Sequence, residues 1–219
     1  MKKSIAIIQT SAVSSAELKA LCDEMMPGVM VYQIIDDSLI KEVNANGGPT
    51  YGIKRRLYAY YQQAESLGVD AILNQCSSVG EVVDAIKPFI SVPIVKVDEA
   101  MAEKAVSLGK RIAVVATVPT TVGPSVRLIE QKAREAGKEI EIETHLVKDA
   151  MMILIEKGDV ETHNSMVLGE VEAAAESCDV VVLAQGSMTV LLPLLGRIKK
   201  PVLTSPRLGV GRVKEVLGI

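Results

Sequence analysis

Residues 69–76 read Val-Asp-Ala-Ile-Leu-Asn-Gln-Cys, and residues 178–185 read Cys-Asp-Val-Val-Val-Leu-Ala-Gln. In each stretch an acidic residue is followed by a short apolar run that ends in polar residues. An unbroken apolar run of this length is typical of a strand in a parallel sheet that is buried on both faces. The sequence therefore predicts the same kind of buried strand twice.

Further runs rich in Val and Ile are spread along the chain, each bounded by turn or capping residues. With the two above, the predicted strands are Ile5–Ile8, Val29–Ile35, Ala71–Leu73, Val92–Val97, Ile112–Val115, Ile140–Leu146, Val180–Leu183 and Pro201–Leu203. Segments with helical spacing lie between them. Strands that alternate with helices of this length predict an α/β fold built from βαβ units with right-handed crossovers.

Several predicted helices carry start or stop signals. Ser14 and Ser15, with Glu17 close behind, predict an N-cap. Glycine follows three further helices, Tyr51–Leu67, Met101–Leu108 and Arg127–Ala136. We expect each of these glycines (Gly68, Gly109 and Gly137) to end its helix in the left-handed conformation.

The two halves of the chain match in register. Residues 5–10 resemble residues 112–117, and 66 residues separate Thr10 from Cys76 where 68 separate Thr117 from Gln185. Farther on, Val92-Pro93-Ile94 corresponds to Lys200-Pro201-Val202. We infer an internal duplication.

The duplication predicts two similar Rossmann-like α/β lobes with parallel sheets, related by a pseudo-two-fold axis, with the active site in the cleft between them. The first lobe is expected to comprise residues 1–96 and 205–219, and the second residues 97–204. In open parallel sheets, ligands bind beyond the carboxyl ends of the strands.

The residues predicted at those strand ends are mostly small and polar. They are Thr10, Ser11, Cys76, Ser77, Ser78, Thr117, Thr120, Thr121, Gln185, Gly186 and Ser187. Several precede helices, where free backbone N–H groups and the helix dipole favour an anion. A small carboxylate fits this environment.

Cys76 is the candidate catalytic thiol. It follows a buried strand and precedes a helix, a position that stabilises a thiolate. Cys22 lies within an amphipathic helix and Cys178 lies just before a strand, so both are expected to be small buried hydrophobic residues.

Composition argues against several other classes of protein. A net charge of −3, a pI near 5.6 and 3% aromatic residues predict no nucleic-acid surface. No apolar run is long enough for a signal peptide or a membrane span. Three cysteines without paired spacing predict no disulfides and a cytoplasmic protein. Asp159, Glu161 and His163 match no metal-ligand spacing and instead predict a charged helix start.

The segment Leu73-Asn74-Gln75-Cys76-Ser77-Ser78 resembles the first cysteine motif of the aspartate/glutamate racemase superfamily. That superfamily includes hydantoin racemases, maleate isomerases and arylmalonate decarboxylases. Val182-Leu183-Ala184 resembles the run before the family's second cysteine, and Ala116–Thr121 resembles the turn that starts its second lobe. The resemblance covers essentially the whole chain. It implies a small carboxylate substrate, a homodimer, and no metal, pyridoxal phosphate or nucleotide cofactor.

This chain departs from the racemase pattern at one position, because Gln185 stands where the second cysteine is expected. Racemization by two bases needs an acid and a base on opposite faces of the reacting carbon, and an amide supplies neither. The leading hypothesis is proton transfer beside a carboxylate by Cys76 alone. A decarboxylase of the arylmalonate type and a non-catalytic binding protein for small acids are the alternatives.

Some predictions concern the surroundings of this site. Arg55, Arg56, Arg127 or Arg207 are candidates to anchor a second carboxylate of the substrate, and nothing in the sequence selects among them. His145 or His163 is a candidate second base. Residues 46–49, Asn-Gly-Gly-Pro, predict a flexible loop that either connects two elements or covers the site. Asp36 and Asp37 either form a solvated turn or supply a charge to the cleft, and the solvated turn is the expectation.

Overall fold

The structure is a computed structural model that describes residues 2–219, apart from the side chain of Ile155. Its strands are β1 (Ser4–Gln9), β2 (Met30–Ile35), β3 (Ala71–Asn74), β4 (Ile94–Lys96), β5 (Arg111–Ala116), β6 (Glu141–Leu146), β7 (Val180–Leu183) and β8 (Val202–Thr204). Its α-helices are α1 (Ser15–Met25), α2 (Ser38–Asn46), α3 (Tyr51–Ser66), α4 (Gly80–Ile86), α5 (Glu99–Leu108), α6 (Pro119–Glu135), α7 (Lys148–Lys157), α8 (Val160–Ser177) and α9 (Ser205–Leu217). Each predicted strand is present with nearly the predicted bounds.

The strands form two four-stranded sheets that are parallel throughout, with the orders β2-β1-β3-β4 and β6-β5-β7-β8. The chain divides into two compact units, one containing the residues up to Glu99 together with Pro206–Ile219 and the other containing Ala100–Ser205. The predicted α/β class, with one parallel sheet in each of two lobes, is confirmed.

Backbone hydrogen bonds support the residue equivalence that the repeat predicts. In the first unit the Gln75 N–H donates to the Ile8 carbonyl at 3.0 Å. In the second, the Ala184 N–H donates to the Val115 carbonyl at 2.9 Å. The donors, Gln75 and Ala184, come one residue before Cys76 and Gln185. The acceptors, Ile8 and Val115, come two residues before Thr10 and Thr117. The two threonines and their partners therefore lie at matching strand ends.

The sheet of the first unit is buried on both faces, as its apolar strands require. Along β1, Ile5 and Ile7 pack against α1 and α9, while Ala6 and Ile8 pack against α2, α3 and α4. In the second unit β5 and β7 share an apolar core with α8. In both sheets the central strands are covered, and their carboxyl ends carry the first polar residues.

The glycine predictions have a mixed outcome. Gly68 and Gly137 follow α3 and α6 with φ of 70° and 62°, so both act as the predicted left-handed helix stops. The prediction for Gly109 is wrong, because its φ is not positive. A Cβ there would lie 2.3 Å from the Cβ of Asp179, so this glycine permits a close approach between two segments.

Two further local expectations need correction. Ser14 is the N-cap residue of α1, but it has φ of 63° and its side chain makes no capping hydrogen bond. The segment before residues 46–49 forms α2, which the sequence did not predict, and Gly47 ends that helix with φ of 68°. The glycines there serve a turn between α2 and α3.

Candidate functional site

Cys76 follows β3 in extended conformation, and a 3₁₀ turn (Ser77–Val79) then leads into α4. The thiol is partly buried. The hydroxyl groups of Thr10 and Ser78 and the backbone N–H groups of Ser78 and Val79 surround its sulfur, and the Val79 N–H donates to the Cys76 carbonyl at 3.4 Å. Burial raises the pKa of the Cys76 thiol, and the four donors oppose that rise by stabilising the thiolate.

A buried amide holds the backbone at Cys76. The Asn74 side chain donates to the Cys76 carbonyl at 3.0 Å and accepts from the Tyr61 hydroxyl at 3.0 Å. Tyr61 is fully buried within α3, and burial raises the pKa of its phenol well above the ordinary value. Asn74 and Tyr61 were not predicted as site residues, although Asn74 belongs to the cysteine motif.

A carboxylate and an ammonium group lie at the end of the neighbouring strand. Asp98 is only 4% exposed and accepts a hydrogen bond from the Ser77 hydroxyl. Burial raises the pKa of the Asp98 carboxyl, and Ser77 and the charge of Lys96 oppose the rise. Lys96 is also buried, and its Nζ lies 2.7 Å from Oδ2 of Asp84. Applying the strand-end rule to β4 as well would have identified Asp98.

The matching strand ends of the second unit carry an amide in place of the thiol. Oε1 of Gln185 accepts from the Thr117 backbone N–H at 2.6 Å, and its Nε2 lies 3.0 Å from the Thr117 hydroxyl oxygen. Thr117 therefore contacts Gln185 at the strand end that corresponds to that of Thr10 and Cys76. The amide occupies the predicted place of the second cysteine and offers no acid or base near neutral pH.

The remaining predicted substrate ligands also have defined places. Ser11 follows β1, and its Oγ accepts from the Val13 N–H at 3.1 Å. Thr120 and Thr121 lie in the first turn of α6. Gly186 and Ser187 begin the 3₁₀ segment Gly186–Leu194 after β7. All of these lie beyond strand ends, as expected, and their contact with substrate stays a prediction.

The hydroxyl groups closest to the two key side chains bond within the protein. Those of Thr10 and Ser78 donate to the Cys76 sulfur, and that of Ser77 donates to Asp98. The sequence assigned all three to substrate binding. In the structure they lie beside the thiol and the buried carboxylate and lower the pKa of each.

The histidines and the nearby charged residues have other partners. Asp159 caps α8 by accepting from the Thr162 N–H at 2.9 Å, as the predicted charged helix start requires. His163 is buried in α8, and Nδ1 of His145 lies 2.6 Å from Glu170. Over residues 2–219, no group of three or more His, Cys, Asp and Glu side chains could hold a metal ion.

Asp36 does not lie in a solvated turn, contrary to expectation. It is half-buried after β2, where it accepts from the Tyr60 hydroxyl at 2.7 Å and from Arg56 at 3.1 Å. Arg56 also pairs with Glu42. Arg207 pairs with Glu24 at 2.8 Å on the surface. Arg56 and Arg207 are thus engaged in ion pairs.

The overall fold matches known racemase structures. An allantoin racemase from Klebsiella pneumoniae has a TM-score of 0.72 at 16% identity, covering 99% of this chain and 88% of that one. An aspartate racemase from Picrophilus torridus has a TM-score of 0.74 at 15% identity, with 99% and 94% covered. A glutamate racemase from Thermus thermophilus has a TM-score of 0.75 at 17% identity, with 99% and 81% covered. At these identities the likeness shows the fold.

No curated relative matches this chain in sequence. Within the described residues, no helix is both long and apolar enough to cross a membrane.

The sequence model of the Asp/Glu/hydantoin racemase family matches residues 5–213, which include both sheets and both strand-end motifs. The chain therefore belongs to the Asp/Glu/hydantoin racemase family.

Proposed function

We propose that this protein is a cofactor-independent enzyme that transfers a proton at a carbon next to a carboxylate, with Cys76 as its one catalytic thiol. The observation that carries the proposal is the set of donors around Cys76. Two hydroxyl groups and two backbone N–H groups lie around its sulfur and act to lower the pKa of the thiol, at a strand end of a racemase-family chain. Such donors stabilise the thiolate that must take a proton from carbon.

Because Gln185 stands where the family pattern has its second cysteine, the proposed chemistry is one-sided unless another group supplies the second acid or base. A single thiol removes the α-proton and returns a proton to the same face of the carbon, since it has no access to the other face. The expected outcome is exchange of the α-proton with solvent and predominant retention of configuration. Thr10 and Ser78 support the thiolate, while backbone N–H groups at the strand ends are suited to the substrate carboxylate.

Deuterium exchange tests this proposal. L-Aspartate, L-glutamate and 5-methylhydantoin are incubated with the protein in D₂O, and deuterium at the α-carbon is followed by NMR together with the enantiomeric composition. Cys76→Ala is expected to lose roughly 10²-fold or more of the exchange rate, the usual contribution of a general acid or base. Cys22→Ala, which changes a thiol buried on α1, is the matched control and is expected to retain exchange. Full exchange by Cys76→Ala would refute the role of the thiol.

Decarboxylation is the second candidate, because burial raises the pKa of Cys76 and so favours the neutral thiol that can donate a proton. A decarboxylase needs only one such donor to quench the enediolate that remains after loss of CO₂. Release of CO₂ from phenylmalonate, with one deuteron placed stereospecifically in D₂O, would identify this activity. Binding of these acids without any turnover would instead support a binding protein for small acids.

A further inference from the structure

Asp98 lies beside the Cys76 turn because β3 and β4 are adjacent. Asn74 pairs with Lys96, and the Val97 N–H donates to the Asn74 carbonyl at 2.9 Å. Cys76 and Asp98 each stand two residues beyond these paired positions. The hydrogen bond from the Ser77 hydroxyl to Asp98 then links the two strand ends.

The carboxylate of Asp98 has an oxygen without a hydrogen-bond partner. Asp98 is 4% exposed, and its buried Oδ1 has no hydrogen-bond partner. Lys96, whose positive charge acts on it, donates to Asp84. Burying a charge with an unpaired oxygen lowers stability, and groups that lower stability in this way are concentrated at functional sites.

The second unit provides an internal comparison. In the repeat, Ser77 corresponds to Gly186. Asn74 pairs with Lys96 in the first sheet, and Leu183 pairs with Thr204 in the second. Asp98 and Pro206 each lie two residues beyond these partners, so Asp98 corresponds to Pro206. The hydroxyl–carboxylate pair is therefore present beside the thiol and missing beside Gln185.

We propose that Asp98 is a positioning residue for Cys76. By accepting a hydrogen bond from the Ser77 hydroxyl, it ties the 3₁₀ turn after Cys76 to the end of β4. The turn is thereby held with the N–H groups of Ser78 and Val79 beside the sulfur, where they favour the thiolate. This inference rests on the proposed function in that it takes the Cys76 thiol as the reacting group.

Alkylation of Cys76 by iodoacetamide tests the proposal without any substrate, because only the thiolate reacts. Rate constants are measured at fixed pH by mass spectrometry of the cysteine peptides. Ser77→Ala and Asp98→Ala are each expected to lower the Cys76 rate constant roughly threefold to tenfold, about the effect of one hydrogen bond to the thiolate. The double variant is expected to be no slower than either single variant, because both remove the same bond.

Asp98→Asn separates hydrogen bonding from charge, because its amide oxygen still accepts from Ser77 while the negative charge is gone. Its rate constant is expected to equal or exceed the wild-type value, since loss of a nearby negative charge favours the thiolate. Asp23→Asn, an exposed carboxylate change on α1, is the matched control and is expected to have no effect. Buried Cys22 and Cys178 report on the fold and are expected to stay unlabelled.

Four results would overturn the proposal: an unchanged rate in Ser77→Ala, reductions that multiply in the double variant, an Asp98→Asn rate as low as that of Asp98→Ala, or labelling of the buried thiols. Labelling of Cys22 would mean that the pair supports the whole first unit and not the thiol, and labelling of Cys178 would mean that the substitutions also open the second unit. Failure of the proposed function is distinguishable, because it would appear as substrate exchange by Cys76→Ala whatever the labelling rates are.

Discussion

At the scale of single residues, Thr10 is a buried hydroxyl donor to the Cys76 sulfur. Thr10→Val keeps the shape of the side chain and removes that donor, so the pKa of Cys76 is expected to rise further. We expect the iodoacetamide rate constant at about pH 8 to fall roughly threefold to tenfold. Thr117→Val is the matched control, because Thr117 holds Gln185 at the corresponding strand end. An equal loss in both variants would contradict a specific contact between Thr10 and the thiol.

The raised pKa of Cys76 also distinguishes the two candidate reactions. Proton abstraction needs the thiolate, whose fraction rises about tenfold per pH unit below the thiol pKa. α-Proton exchange is therefore expected to accelerate steadily between about pH 7 and about pH 9. Decarboxylation needs the neutral thiol and is expected to show no such rise. Initial rates of deuterium exchange and of CO₂ release over this range make the comparison, and a flat exchange profile would contradict thiolate catalysis.

The sequence identified Cys76 and Gln185 because each directly follows a buried apolar strand. It missed Asp98, although Asp98 obeys the same rule. The predicted strand Val92–Val97 ran to the residue before it, but the predicted site residues followed only the strands Ile5–Ile8, Ala71–Leu73, Ile112–Val115 and Val180–Leu183. The hydrogen-bond partners of the small hydroxyl residues could not be predicted from the sequence either. Rotamers and burial decide whether Ser77 faces a ligand or a neighbouring carboxylate.

At the scale of elements, the strands could be predicted because buried parallel strands are continuous apolar runs. Helix α2 was missed because Asn44, Asn46 and Gly47 are typical of a loop, whereas Leu39 and Val43 are fully buried and fix the helix by tertiary packing. Gly109 was misassigned for a related reason. A glycine after a helix predicts a left-handed stop, and only the structure shows that Asp179 approaches it too closely for any side chain.

Two glycines of helix α9, Gly209 and Gly211, differ in how closely other atoms approach them. A Cβ on Gly209 would lie 2.5 Å from the Val97 carbonyl oxygen, whereas one on Gly211 would make only an ordinary contact, 3.9 Å from Met25. Gly209→Ala is expected to cost about 1–3 kcal/mol of unfolding free energy through overpacking. Gly211→Ala is expected to be neutral or to stabilise by up to about 1 kcal/mol, since alanine favours helix. Urea unfolding measures both, and equal effects would contradict the close approach at Val97.

At the scale of the whole molecule, the chain leaves the first unit after Glu99 and returns to it at Pro206. The returning helix α9 completes the apolar layer on one face of the first sheet, where it packs with Ile5, Ile7 and Leu73. The second unit has its own core around β5, β7 and α8. Residues 206–219 are therefore expected to contribute far more to the stability of the first unit than to the stability of the second.

Deletion of residues 206–219 tests this dependence. It removes Val210, Val213 and Leu217, which are almost fully buried in the first unit. At about 1.5–3 kcal/mol for each buried side chain, the loss is comparable to the whole stability of a small domain. In the truncated protein, hydrogen exchange is expected to show that β1 and β3 lose protection while β5 and β7 keep it. Deletion of the two exposed residues Gly218 and Ile219 alone is the control and is expected to leave all four strands protected. Equal loss of protection in both sheets would show that the two units unfold as one cooperative body.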